Sequence, residues 1–136
     1  MHGPMNHTAL GSHLPPGPAI DPAALAKLHD LDPDGRAGIV QRVLETYQHS
    51  LAKLLLQLER ALVSRAPLDL RHITHTLKSS SASVGAIGLS QLCAQIEQLA
   101  VSGWDDSLPE RVATLQAEAL RVQAALVALL KDRERR

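Results

Sequence analysis

Ile39, Val40, Val43, Leu44, Tyr47, Leu51, Leu54, Leu55, Leu58 and Leu62 recur at intervals of three and four with few gaps. That period places them on one side of an α-helix, whereas a strand would alternate in twos. The stripe predicts a helix from near residue 36 to about 63, roughly 40 Å long at 1.5 Å per residue. It is the longest element expected, and the backbone of whatever the rest of the chain builds.

Three further stretches repeat the pattern. Pro67 and Asp69 open a helix whose apolar side is Leu70, Ile73, Leu77, Ser80 or Ser81, and Val84. A short turn at Gly85-Ala86 leads to another, with Leu89, Leu92, Cys93, Ile96, Leu99 and Ala100 facing inward as far as Gly103. Gly85 reads as the C-terminal glycine that lets the chain reverse, and Cys93 as a small buried hydrophobe. After the Trp104-Asp105-Asp106 loop, Ser107 and Glu110 have the spacing of a capping box. Leu108, Val112, Leu115, Ala119, Val122, Leu126 and Leu129 then form a seam for packing against other helices. A shorter helix begins at Asp21-Pro22, aspartate as N-cap and proline in the first turn, and stops before Asp32-Pro33-Asp34-Gly35. It is too short to stand alone. The fold class that follows is all-α: an antiparallel four-helix bundle, residues 21–133, with a short N-terminal cap helix. Residues 1–20 contain no Asp, Glu, Lys or Arg and hold Pro15-Pro16-Gly17-Pro18, so they read as a disordered tail.

Composition narrows the function. Lys+Arg and Asp+Glu are 14 each, which gives no basic excess for nucleic acid. Phenylalanine is absent, so the core must come from Leu, Ala, Val and Ile. One cysteine excludes an internal disulfide and fits a reducing compartment, and a cytoplasmic location is expected. No apolar run is seen that reaches the roughly 18 residues needed to span a bilayer, and no membrane partner is expected. There is no secretory signal pattern. His2, His7 and His13 lack ligand spacing, so no metal and no cofactor are expected. No phosphate-binding glycine loop and no Ser/His/acid set occurs.

What remains is the wet side of the third bundle helix. His75 and Lys78 lie there three residues apart, with the small residues Ser79 and Ala82 beside them. A neutral imidazole nitrogen is a good nucleophile near neutral pH. A phosphoryl group carried on it would need a neighbouring cation, and small side chains would let another surface approach. For an isolated pair, solvated surface is the commoner explanation.

The surrounding residues decide between these. His75-Thr76-Leu77-Lys78-Ser79-Ser80-Ser81-Ala82-Ser83-Val84-Gly85-Ala86, followed by Leu89, Leu92-Cys93 and Ile96-Glu97, resembles the signature of histidine-containing phosphotransfer (HPt) domains. That signature runs His-x-Leu-Lys-Gly-Ser-[Ser/Ala]-x-x-[Leu/Val]-Gly-Ala, then Leu-x-x-Leu-Cys-x-x-[Leu/Ile]-Glu. Ser79 departs from it, standing where the family usually has glycine. The resemblance implies that His75 accepts a phosphoryl group from a receiver-domain aspartyl phosphate and passes it to another receiver aspartate. Lys78 would then stabilise the phosphoryl charge, and Glu97 would orient the imidazole or bind Lys78. Arg71, His72, Ser79, Ala82 and Ser83 would form the partner-binding face. The implied partners are the receivers of a hybrid sensor histidine kinase and of a response regulator. Mg²⁺ would belong to the receiver, and the chain would have no ATP site of its own. Two alternatives stand beside this: a non-catalytic helical adaptor or dimerisation bundle using the last helix's seam, and the phosphoacceptor domain of a larger histidine kinase.

Overall fold

A computed structural model describes residues 14–134. It contains helices α1 (Pro22–His29), α2 (Ile39–Val63), α3 (Pro67–Ser83), α4 (Ile87–Leu99) and α5 (Leu108–Glu134), with a 3-10 turn at Ala100–Ser102. Among the described residues there is no strand. Helix α2 packs on α3, α3 on α4, α4 on α5, and α5 back on α2, closing a four-helix ring. Helix α1 caps one end.

The stripes read from the sequence are the sides that meet inside. Leu44, Leu51 and Leu58 of α2, Leu70 and Leu77 of α3, Leu89 and Ile96 of α4, and Leu115 and Leu126 of α5 are fully buried. Each removes apolar surface from water that stabilises by about 1.5–3 kcal/mol. The seam of α5 that could have served a partner helix, Leu108 to Leu126, lies in this core. One polar pair sits among the leucines: the Tyr47 hydroxyl lies 2.7 Å from Ser81 Oγ, both buried. Each hydroxyl satisfies the other, which fixes α2 against the centre of α3.

Element ends follow local chemistry. Asp21 caps α1, its side chain accepting from Ala23 N at 3.0 Å. Helix α2 begins at Ile39, three residues later than the stripe suggests, because Gly38 takes a left-handed φ of 64°. Asp32 in the preceding loop, buried, accepts from Ala37 N at 3.3 Å and Ile39 N at 3.2 Å. It does the capping that no residue of α2 does for itself. At the start of α5, the Ser107 hydroxyl donates to Asp105 Oδ1 at 2.5 Å. At the same end of the bundle, the Arg65 guanidinium lies 4.5 Å from the centroid of the Trp104 ring.

Two expectations change. The tail expected over 1–20 is ordered contact surface from residue 14 on, while 1–13 lie outside the described residues. Arg121 of α5 donates to Pro15 O at 3.1 Å and to Gly17 O at 2.6 Å. Ile20 is buried, and Asp21 N donates to Gly85 O at 2.8 Å. A segment without charges is held here through its backbone carbonyls and one isoleucine. Secondly, Leu108–Arg133 is long and apolar enough, by length and composition, to cross a bilayer. In the fold Glu118 and Arg121 interrupt it, and its inward side fills the bundle core.

Candidate functional site

Helix α3 buries Leu70, Ile73, Thr74, Leu77 and Ser81 and turns His75, Ser79 and Ala82 outward. Thr74, a poor helix former, returns its hydroxyl to Leu70 O at 2.7 Å and so leaves no unpaired group beneath the site. Two of the following serines, Ser80 and Ser83, are accommodated in the same way. Ser80 donates to Leu77 O and Ser83 to Ser79 O, while Ser81 pairs with Tyr47.

The structure brings three of the expected site residues together. His75 Nδ1 lies 2.8 Å from Glu97 Oε2, and Lys78 Nζ lies 2.6 Å from Glu97 Oε1. Helix α4 runs antiparallel beside α3, so one carboxylate reaches across to two residues a helical turn apart. The hydrogen bond from Lys78 outweighs the burial that opposes it and, with the bond from His75, holds the Glu97 carboxyl below its usual range. An ionised carboxylate only accepts, so the hydrogen on this bond belongs to Nδ1. With Nδ1 turned to Glu97, the opposite edge of the ring carries Nε2. The His75 side chain is 65 % exposed and that of Glu97 23 %, so the ring stands out from a half-covered base. Ser90 of α4 adds a second tie, donating to Lys78 O at 2.9 Å. Under the site, burial pushes the Cys93 thiol up to about 12, which keeps it neutral and inert.

The remaining site residues are not gathered at the imidazole. His72 is exposed and lines a cleft of about 330 Å³ with Arg60 and Asp69, on the α2 side of α3. Arg71 is half-buried. Ser79, Ala82 and Ser83 are exposed and lead from His75 along α3 towards two concavities. One, of about 530 Å³, opens towards α2 over Val43, Thr46 and Tyr47. The other, of about 380 Å³, opens towards α1 over Ala24, Leu28 and Leu31.

Sequence reasoning understated Gly85. Its φ is +89°, as a reversing glycine requires. A Cβ there would also stand 2.7 Å from Ala24 Cβ and 3.1 Å from Asp21 O. Gly85 therefore seats α1 against the end of the histidine helix. The left-handed turn was legible from glycine alone; the close approach of α1 left no mark in the local pattern.

Among the described residues no group of three His, Cys, Asp or Glu converges on a point that could hold a metal. The site presents an exposed imidazole, bonded through Nδ1 to Glu97, on a helix of the bundle. Comparison with known proteins gives the family and the fold. The sequence model of the Hpt domain matches residues 42–131, about two thirds of the chain, and the chain belongs to this family. No curated protein sequence matches it significantly. Among solved structures, the chain is similar to the crystal structure of histidine-containing phosphotransfer protein B from Pseudomonas aeruginosa, with a TM-score of 0.77 and 24 % identity. That match covers 86 % of this chain and 98 % of the other, and it shows the shared bundle. As an Hpt domain, the protein is a histidine phosphotransfer intermediate of phosphorelay signalling.

Proposed function

We propose that His75 is the residue that carries the phosphoryl group, on Nε2. The observation that supports this most is the Nδ1···Glu97 bond of 2.8 Å, which leaves Nε2 as the nucleophile at an exposed position. In the proposed step the Nε2 lone pair attacks the phosphorus of a receiver aspartyl phosphate. The P–O bond breaks with its electron pair passing to the aspartyl oxygen. Lys78, one turn on, supplies positive charge to the phosphoryl oxygens. The chain makes no use of ATP in this scheme; the donor and the onward acceptor are both receiver carboxylates, those of a hybrid kinase and of a response regulator. The receiver supplies the acidic pocket and its Mg²⁺.

The docking face in this reading runs over Arg71, His72, Ser79, Ala82 and Ser83. A receiver must bring its aspartate within bonding distance of Nε2, so side chains beside His75 have to be short. Ser79 adds a hydroxymethyl group where glycine would leave more room, and it is the tightest point of the approach. The test is transfer of labelled phosphoryl from a phosphorylated receiver. His75→Gln is expected to take no label, and His72→Gln most of the wild-type amount. Label on the His75→Gln protein, or a silent His72→Gln, refutes the assignment.

A further inference from the structure

Glu97 is a single carboxylate divided between two donors. Oε2 takes His75 Nδ1 at 2.8 Å and Oε1 takes Lys78 Nζ at 2.6 Å. Other ionisable groups near it are held elsewhere or are neutral. The Cys93 thiol beneath it is buried, and Arg111 of α5 reaches α4 at Gln95, 3.1 Å away, instead. Arg71 and His72 of α3 precede His75 by a turn, and neither is bonded to Glu97. The carboxylate is therefore governed by α3 through His75 and Lys78 together.

We propose that Glu97 sets how readily the phosphorylated imidazole gives up its phosphoryl group, and that Lys78 governs Glu97 by leaving it. This rests on His75 being the phosphoacceptor. When the Nε2–P bond forms, the Nδ1 proton stays, and the ring becomes a phosphoimidazolium. The new phosphoryl dianion competes with Glu97 for the Lys78 ammonium. As Lys78 turns to the phosphoryl oxygens, the whole charge of Glu97 falls on Nδ1–H. An opposite charge at hydrogen-bond distance favours the charged form of the ring. From that form the N–P bond breaks with its electron pair returning to Nε2, and the leaving group is neutral imidazole carrying Nδ1–H. Without the proton the ring would leave as an imidazolate, a far poorer leaving group. No further reactant is needed: the receiver carboxylate takes the phosphoryl group, and the proton never leaves Nδ1. Glu97 acts as a positioning residue through the far side of the ring and does not touch phosphorus.

The experiment phosphorylates wild type, Glu97→Gln and Glu97→Asp with phosphoramidate. It then follows the ³¹P signal and the ring of phosphorylated His75 against pH. In Glu97→Gln the amide preserves the shape and loses the charge. Its phosphorylated ring is expected to release Nδ1–H at least about one pH unit lower than in wild type, a tenfold change in the protonated fraction. Its phosphohistidine is expected to survive about tenfold longer at slightly alkaline pH. Glu97→Asp, with the carboxylate withdrawn by one methylene, should fall between the two, and it serves as the test should the amide variant fold poorly. Equal titration midpoints and equal lifetimes, with the label on His75 in every protein, overturn the role of Glu97 and leave the acceptor intact. Label absent from His75 in wild type overturns both.

Discussion

Replacing Gly85 by alanine separates what holds α1 in place from what the site does. Two costs arise. The φ of +89° lies in a region where an L-residue is disfavoured by about 1–2 kcal/mol. The new methyl would stand 2.7 Å from Ala24 Cβ and 3.1 Å from Asp21 O. Neither neighbour is a flexible side-chain end, so α1 must move away. Its movement breaks the 2.8 Å bond from Asp21 N to Gly85 O, a loss of about 1 kcal/mol. The combined expectation is about 2–4 kcal/mol. For a domain of this size that is a fall in Tm of about 6–20 °C. Urea unfolding followed by circular dichroism gives the free energy, and a thermal scan gives the midpoint. His75 is nearly three turns away on a helix held by its own core contacts, so folded Gly85→Ala protein should still accept phosphoryl. A loss below about 0.5 kcal/mol would show that α1 does not rest on this corner and would refute the reasoning.

Three other outcomes follow from the same contacts. Ile20→Ala empties a buried position in the segment before α1, and should cost about 2–4 kcal/mol by chemical denaturation, where a free tail would cost nothing. Tyr47→Phe leaves Ser81 Oγ buried without its partner at 2.7 Å, and should cost about 1–2 kcal/mol with phosphoryl acceptance retained. Glu97 has its folded pKa below 4.5, so its contribution to stability is complete above about that pH and is lost as pH falls through the lower folded value. Wild type should therefore lose more stability than Glu97→Gln between about pH 5 and pH 3 in acid denaturation curves; parallel curves would contradict the triad's geometry.

The long elements were legible because their information is periodic. The leucines of α2 and α5 announce a helix side by spacing alone, and most buried residues belong to the stripes, with Ala61, Thr74, Thr114 and Glu118 buried outside them. The pairing of His75 with Lys78 was legible for the same reason, since i and i+3 share a face. Contacts between elements were less so. The link from Tyr47 to Ser81 joins residues 34 apart, and each looks ordinary in its own window. Asp32 caps a helix seven residues away, where a turn-forming Asp-Pro-Asp-Gly run hides it. The hold of Arg121 on Pro15 and Gly17 goes to backbone carbonyls, which carry no residue identity, so composition made residues 14–20 look unattached. Glu97 is the intermediate case. Its place in the α4 motif suggested a bond to His75 or to Lys78, and only the crossing of α3 and α4 shows one carboxylate serving both.

The central claim is that phosphoryl is carried on one nitrogen of one histidine, chosen by the bond that Glu97 makes to the other. It is tested most directly by ring-¹⁵N spectra of the protein with labelled histidine, before and after phosphorylation by a receiver domain. Unphosphorylated His75 should show the Nδ1–H pattern, and phosphorylation should place the ¹⁵N–³¹P coupling on Nε2 of His75, with His72 unchanged. Phosphorus on Nδ1 of His75, or on His72, would contradict the account.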